Sequence, residues 1–397
     1  HDALPIYRKF LHIIPILLSV CLFSCRATKY IPADEYLLNN YKIESEKGDF
    51  DKKVLEEYIK QKPNKRILFW RFYLSLYNLS SPGKDNGFQN WLRRIGEPPV
   101  IYDEDLKDKS TEQLSLHMRN KGFYEAAVSD TTIFKNGRAS IIYEVVPLEP
   151  YRIRNISYFF EDASLSDMVL ADTGSNDFRT GELFDVDVLQ EERVRIETVL
   201  RDSGYYAFTR DFVYFEVDSS LNSLQVDVTL GIRNYPRVNS RGYTLQTDLP
   251  VYRIRDVHMM TDFNAMSFGE EDGDMSIQRD TTVYDSIHLV YSGEPNIRAS
   301  VVTQKNYIIP GSLYDASDVN RTYRNLSSLS AFRMVDIRFR EVEAEEPLLD
   351  CDILVAPATR QSYSVKVEGT NSAGNIGAAA NFGYGHRNLF GGSEQFE

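Results

Sequence analysis

The chain has 397 residues, 42% of them hydrophobic and 12% aromatic, with a formal net charge of −13. That is apolar material for two to four packed cores, and it excludes a disordered chain. The acidic balance excludes a general nucleic-acid binder, which needs clustered Lys and Arg; the three cysteines, Cys21, Cys25 and Cys351, make no disulfide framework.

At the amino terminus Arg8 and Lys9 precede an apolar run from Leu11 to Leu22. The run is too short to cross a bilayer as a helix and suits the core of an export signal. It ends Leu22-Phe23-Ser24-Cys25. This ending resembles the bacterial lipoprotein signal, in which a leucine and then a small residue lead into a cysteine that is acylated. The resemblance implies a signal peptide over 1–24, lipid attachment at Cys25 and a tether over 25–34. Arg26, where inner-membrane lipoproteins commonly carry Asp, implies delivery to the outer membrane.

Glu35–Ser45 reads as a strand, followed by a turn at Glu46–Asp51. Asp51 can cap a helix to Lys60, because Val54, Leu55, Tyr58 and Ile59 share a face, and Pro63 ends it. The next stretch, an insertion over 62–98, differs in character. From Lys60 to Ile95, Lys60, Lys62, Lys65, Arg66, Arg71, Lys84, Arg93 and Arg94 stand against Asp85 alone, interleaved with Phe69, Trp70, Phe72, Tyr73, Tyr77, Phe88 and Trp91. Cations and amphipathic rings together suit a lipid headgroup interface. Trp70, Arg71, Trp91, Arg93 and Arg94 are therefore candidate membrane or partner contacts; the plainer reading is local packing with solvated cations.

A pattern then begins that recurs. Tyr102-Asp103, a helical stretch and Gly122-Phe123-Tyr124 lead into two alternating runs, Ala127–Phe134 and Ala139–Val146. A second copy runs Gly181, Phe184-Asp185, a helix over Val186–Asp202, Gly204-Tyr205-Tyr206, Phe212–Val217 and Leu224–Ile232. The step from Asp103 to Gly122 equals that from Asp185 to Gly204, 19 residues. Val188, Val194, Ile196, Val199 and Leu200 are that helix's apolar positions, and Gly204 stops it. A looser copy follows in Gly311, Tyr314-Asp315, Leu326, Ala331-Phe332, Val335–Val342 and Leu348–Val355. Two copies open on matching strands, Tyr151-Arg152-Ile153-Arg154 and Tyr252-Arg253-Ile254-Arg255. Such self-similarity predicts an array of β-α-α-β-β modules over 35–148, 149–236 and 251–358, with a linker at 237–250. Each would cover one face of a three-stranded sheet with two helices, leave sheet edges exposed, and insert Phe123, Tyr206 or Phe332 between helix and sheet.

Past 361 the pattern changes again. Tyr363–Glu368 alternates, Asn375–Tyr384 alternates small with apolar residues, and Gly385-His386-Arg387-Asn388-Leu389-Phe390-Gly391-Gly392 follows. These features suit the opening strands of a barrel.

The β-α-α-β-β unit with a Gly-aromatic turn resembles the polypeptide-transport-associated (POTRA) domain. The run into Arg387–Gly392 resembles the barrel entrance of the BamA/TamA family of outer-membrane assembly proteins, the bacterial surface antigens. With the leader, Lys62-Pro63-Asn64 and Gly96-Glu97-Pro98-Pro99 resemble its TamA-like lipoprotein branch in Bacteroidetes-type bacteria. The resemblance implies an α+β fold of three tandem POTRA-like modules, followed by the truncated start of a transmembrane β-barrel at 361–397. It implies an outer-membrane protein with periplasmic modules, without enzymatic activity or cofactor. Its partners would be unfolded outer-membrane proteins, other envelope assembly factors and outer-membrane lipid through acylated Cys25. Clients would add as strands to module edges within Phe212–Val217 and Val335–Val342 and pass to the barrel. The alternative is a free-standing lipoprotein scaffold for envelope complexes.

The residues themselves offer no catalytic cluster. The six histidines lack zinc-ligand spacing, and no serine has a Gly-x-Ser-x-Gly setting. The acidic run Gly269–Asp274 lacks EF-hand order, and Cys351 reads as a small buried hydrophobe.

Overall fold

The computed structural model describes residues 27–45, 51–68, 70–81, 85–171, 178–219, 223–238, 244–263, 279–295, 297–372 and 375–396. The expected export signal, Cys25, most of the turn at Glu46–Asp51 and the acidic run at 269–274 lie outside them. The chain divides into two compact units. One is His1–Asn155 with Arg179–Val188 and Val217–Asp227; the other is Ile156–Phe178 with Leu189–Glu216 and Val228–Glu397.

The first sheet is built from β1 (Leu37–Ser45), β2 (Ala127–Lys135) and β3 (Arg138–Val146). Between β1 and β2 come helices α1 (Lys52–Glu57), α2 (Phe72–Leu79), α3 (Gly87–Ile95) and α4 (Glu104–Asn120). β3 is central, parallel to β1 and antiparallel to β2. Asn136-Gly137 turns β2 into β3 with φ of 53° and 69°, the left-handed pair that matches strand twist in a two-residue hairpin. Asp51 caps α1 by accepting from the Lys53 amide at 2.9 Å, and Asp103 caps α4 by accepting from Leu106 at 3.1 Å. Leu38, Leu55, Leu114, Met118, Ile141 and Tyr143 form the core, with Phe123 packed on it. Each such aliphatic side chain contributes about 1.5–3 kcal/mol by leaving water.

The second sheet has the same strand order, β4 (Arg152–Phe160), β6 (Gln225–Ile232), β5 (Val213–Asp218), with α5 (Ser166–Leu170) and α6 (Val186–Arg201) between β4 and β5. The buried face of α6 is Leu189, Glu192, Ile196 and Leu200, while Val194 is exposed, so the face is rotated from the expected one. Buried Glu192 is held by two bonds from Arg195, at 2.8 and 2.7 Å, and Arg195 also donates to the Val169 carbonyl. An ion pair at a core position breaks the apolar periodicity that the sequence reading relied on. The stretch expected to be a linker carries an antiparallel ribbon, β7 (Tyr235–Val238) with β8 (Thr244–Thr247).

The third sheet corrects the three-stranded expectation. It comprises β9 (Arg253–Met260), β10 (Asp280–Tyr284), β11 (Ile287–Tyr291), β12 (Phe332–Val342) and β13 (Leu348–Pro357), in the order β10-β11-β9-β13-β12. β10 and β11 join through Asp285-Ser286, at φ 50° and 63°, and β11 lies parallel beside β9. Helices α7 (Ala299–Thr303) and α8 (Ala316–Ser327) precede β12. Val257, Met259, Val302, Leu326, Phe332 and Cys351 are among its core residues. Last come β14 (Gln361–Ser372), β15 (Asn375–Arg387) and the short β16 (Gln395–Phe396).

The repeated Tyr-Arg-Ile-Arg run is explained position by position. Ile153 and Ile254 enter the cores. Arg152 and Arg253 donate to the carbonyls of Gly181 and Gly311. Arg154 grips Asp227, and Arg255 grips Asp350, each through two guanidinium nitrogens. The tyrosine makes a junction. Gly122 ends α4 at φ 87°, and its carbonyl accepts from the Tyr151 amide at 2.9 Å, while the Tyr151 carbonyl accepts from Phe184 at 3.0 Å. Gly204, at φ 103°, Tyr252 and Tyr314 repeat both bonds at 2.9 and 3.0 Å. Rings then close each junction: Tyr124 with Tyr151 and Phe184 in one, Tyr206 with Tyr252 and Tyr314 in the other. Tyr206 thus packs on the third sheet's core, and its neighbour Tyr205 is the more deeply buried of the two.

Gly122 and Gly181 separate strain from space. A Cβ on Gly122 would stand 2.8 Å from the Phe184 carbonyl oxygen, whereas Gly181 shares the left-handed backbone, at φ 90°, with nothing within 4 Å. Gly181→Ala should cost about 1–2 kcal/mol from backbone strain alone, and Gly122→Ala more than that, about 3 kcal/mol, when urea midpoints are compared.

Candidate functional site

Sheet rims come first, because an unpaired strand edge offers main-chain donors and acceptors in a row. In all three sheets the outer rim of the opening strand is closed at its start by the segment just before the long helix. Leu38 donates to Val100 and Tyr102 to Tyr36, at 2.8 and 2.7 Å. Ile153 donates to Glu182 at 2.9 Å and accepts from Gly181 at 2.7 Å. Ile254 donates to Ser312 at 2.9 Å and accepts from Gly311 at 2.7 Å. The far rim of each of these sheets is an edge strand, β2, β5 or β12, and the third sheet has a second edge in the short β10. Phe212–Val217 and Val335–Val342, the stretches singled out from the sequence, fall largely on β5 and β12. At 11 residues, β12 is the longest of these edges.

The outward face of the third sheet carries an ion ladder. Arg255 meets Asp350 at 2.6 Å, Arg340 meets Asp352 at 2.8 Å and Asp350 at 3.8 Å, and His258 lies 3.6 Å from Asp352. His258 and His288, scattered in sequence, stack with ring centres 5.0 Å apart because β11 lies beside β9. Among the described residues no group of His, Cys, Asp or Glu is placed to hold a metal ion. Cys351 is fully buried, and burial pushes its thiol far up, so it stays neutral.

The insertion residues chosen from the sequence separate into different roles. Arg71 is buried, not presented to a membrane. Its Nη2 donates to the carbonyl of Asn39 at 2.5 Å and to its side-chain oxygen at 2.9 Å, and Arg66 reaches the same carbonyl at 2.9 Å. β1 shifts register at Asn39, so these cations satisfy a carbonyl at an irregular point in the ladder. Burial pushes the Arg71 guanidinium down to about 10. Arg93 is bonded to Asp85 at 2.8 Å, and Trp70 is half-buried with its edge toward Phe72. Trp91 and Arg94 remain exposed.

Asn64 and Gly96, whose surroundings carried a family resemblance, form the neck of this insertion. Buried Asn64 donates to the Pro98 carbonyl at 2.8 Å and accepts from the Val100 amide at 3.0 Å. Gly96 ends α3 so close to α2 that a Cβ would sit 2.6 Å from the Tyr77 nitrogen.

The terminal hairpin is two-faced. Tyr363, Val365 and Val367 pair with Tyr384, Phe382 and Ala380, which places them on one face, and the first five of these large residues are exposed. Ser362, Ser364 and Lys366 alternate onto the other face. Beyond it, the Arg387–Glu394 turn is latched to the third sheet's surroundings. The Gly391 carbonyl accepts from the Arg298 amide at 2.9 Å, and Ser393 Oγ accepts from Ala331 at 3.0 Å. A cavity of about 620 Å³ lies beside this latch, lined by Arg298, Leu289, Ile297, Asn388 and Phe390 among others. Among the described residues no helix is long and apolar enough to cross a membrane.

No family model and no curated protein matches the chain. Solved structures do. POTRA domains 3–5 of Haemophilus influenzae BamA align over 82% of this chain and 99% of theirs, at 13% identity and a TM-score of 0.38. Haemophilus ducreyi BamA lacking POTRA domains 1–3 aligns over 62% of this chain and 36% of its own, at 14% identity and a TM-score of 0.39. POTRA domains 1–3 of Omp85 from Anabaena align over 82% and 96%, at 10% identity and a TM-score of 0.24. Likeness this distant carries no argument about activity or partners.

Replacing Asn64 by Leu removes both neck bonds at once. The expected cost is about 1–3 kcal/mol in urea unfolding, together with faster proteolytic cutting inside 65–97. With Cys25 replaced by Ala, Cys351 should resist iodoacetamide in the native chain and react only in denaturant, measured by mass spectrometry.

Proposed function

We propose that this chain is the periplasmic, client-receiving part of an outer-membrane protein assembly or secretion factor of the Omp85/BamA type. In this reading residues 35–148, 149–236 and 251–358 are three POTRA-like modules, and 361–397 opens a transmembrane barrel. Cys25 carries the lipid that holds the chain at the outer membrane, as in the TamA-like lipoprotein branch. One observation carries the reading: in each of the first three sheets the opening strand is paired at its start from within, and the sheet ends in an edge strand, β2, β5 or β12, on the far side of the opening strand. That arrangement leaves β2, β5 and β12 as rims where an extended segment can add as a further strand.

Backbone pairing is tolerant of side-chain sequence, which suits a receiver of many unfolded clients. Individual rims bind weakly, but several in one chain raise the local concentration of a captured segment. Catalysis has no part in this. The exposed apolar face of β14–β15 favours the barrel reading over a free-standing scaffold, since Val365 and Phe382 would otherwise face water.

Hydrogen exchange tests the reading directly. An extended peptide with the alternating pattern of an outer-membrane strand should slow exchange in β5 and β12 by roughly tenfold, leaving central β6 and β13 unchanged. Binding of that peptide without protection at any of β2, β5 and β12 would remove the proposal.

A further inference from the structure

Helix α3 keeps on its surface what such helices normally bury. Phe88 is 64% exposed, Trp91 47% and Ile95 39%. They stand at i, i+3 and i+7, a single stripe, and the Phe88 and Trp91 rings stack at 5.9 Å. Leu92 points inward and holds the helix to the body. Arg94 is exposed beside the stripe, and the surrounding insertion is basic in a chain of net charge −13. The insertion also ends a tight turn, the bridge of Ile67 with Trp70, in Leu68, which is 90% exposed in the left-handed region at φ 57°.

A second observation says what covers the stripe. The described chain begins at Ala27, whose carbonyl accepts from Asn78 of α2. Lys29 donates to the Asn78 carbonyl at 2.9 Å, and the Tyr30 hydroxyl donates to the Ser80 carbonyl at 2.5 Å. Ser81 in turn donates to the Gln89 side chain at 2.7 Å, next to Phe88. The amino-terminal segment is thus pinned to the α2–α3 corner. Cys25 precedes Ala27 by two residues, which bounds their separation at about 7 Å.

From these two observations we infer that the Phe88-Trp91-Ile95 stripe, with Arg94, is a second membrane contact that seats the first sheet against anionic phospholipid. The inference rests on the reading of Cys25 as the site of lipid attachment. An acyl anchor holds a protein at a bilayer without orienting it. Because residues 27–30 bring the anchor to the α2–α3 corner, the stripe works at high local concentration and needs only weak affinity of its own. Aromatic rings settle at the headgroup level, and Arg94 supplies attraction to anionic lipid. The Asn64 neck and the Arg71–Asn39 bonds then pass the orientation of α3 to the first sheet.

Trp70 and Trp91 are the only tryptophans, so Trp70→Phe leaves Trp91 as the sole reporter. The full chain carrying Cys25→Ala and Trp70→Phe is mixed with vesicles of phosphatidylethanolamine and phosphatidylglycerol, or of phosphatidylcholine alone. The expected result is a blue shift of Trp91 emission and flotation with the anionic vesicles, both reduced by added salt. Phe88→Ser with Trp91→Ser should reduce flotation on the order of tenfold while leaving circular dichroism unchanged, because both residues lie outside the core. No Trp91 shift, or equal flotation of the double variant, would overturn the membrane contact; equal binding to both vesicle types would overturn the role of Arg94. Fatty-acid labelling of cells, with Cys25→Ala as control, reads the anchor separately. Its failure would overturn the shared platform whatever the vesicles show.

Discussion

Closure of one rim is the constraint on which this architecture depends. Each long helix is entered through a short segment that first pairs with the opening strand, then provides an aspartate at the helix start. Leu37 bridges Ile101 before Asp103; Arg152 bridges Leu183 before Asp185; Arg253 bridges Leu313 before Asp315. Asp103 and Asp315 cap their helices by accepting from Leu106 and Asp318. Asp185 accepts from the Asp187 amide and also takes the Lys121 ammonium at 2.7 Å. A few residues therefore satisfy orphan helix donors, cover a sheet edge and make a junction. Substitution in such a segment would disturb all three, which is why the same residue types return at the same offset without any chemistry to demand them.

The repeat was legible because backbone geometry leaves little choice at its key points. A glycine at φ 87° or 103°, with a carbonyl or a valine methyl where its Cβ would be, has no substitute. Tyr-Arg-Ile-Arg was legible for a similar reason: each position has a separate partner. Less legible were positions where two neighbouring residues could exchange roles. Tyr205 and Tyr206 are chemically alike, yet Tyr205 is buried while Tyr206 packs, only partly buried, on the third sheet's core. The added strands β10 and β11 were missed although Asp285-Ser286 is a two-residue turn between alternating runs. They sit where the repeat has no counterpart, so a reading led by the repeat passes over them.

Composition misled most in the insertion. Counting cations beside aromatics treats every arginine as a surface charge, and Arg71 is not one. It lies under the fold, bonded to a carbonyl and an amide rather than a carboxylate, because an irregular strand leaves Asn39 with acceptors to satisfy. Trp70 likewise packs locally. Phe88 and Ile95 escaped the list of candidates, although their spacing from Trp91 marks a stripe once α3 is known to be a helix. The signal was periodicity, and periodicity needs element boundaries before it can be used.

Open edges in series are an aggregation hazard, and β12 handles it without blocking its backbone. Two of its arginines are turned to partners on the sheet's own face: Arg338 to Asp336 at 2.7 Å, Arg340 to Asp352 at 2.8 Å. Lysines or prolines on a rim would deter every incoming strand, client or copy. Charges neutralised within the face leave the rim's donors and acceptors available, while the net charge of −13 opposes the meeting of two folded copies at long range. A short unfolded segment carries little of that repulsion. On the proposed reading, discrimination between a client and another copy of this chain can therefore come from overall charge, leaving the rim itself indifferent to sequence.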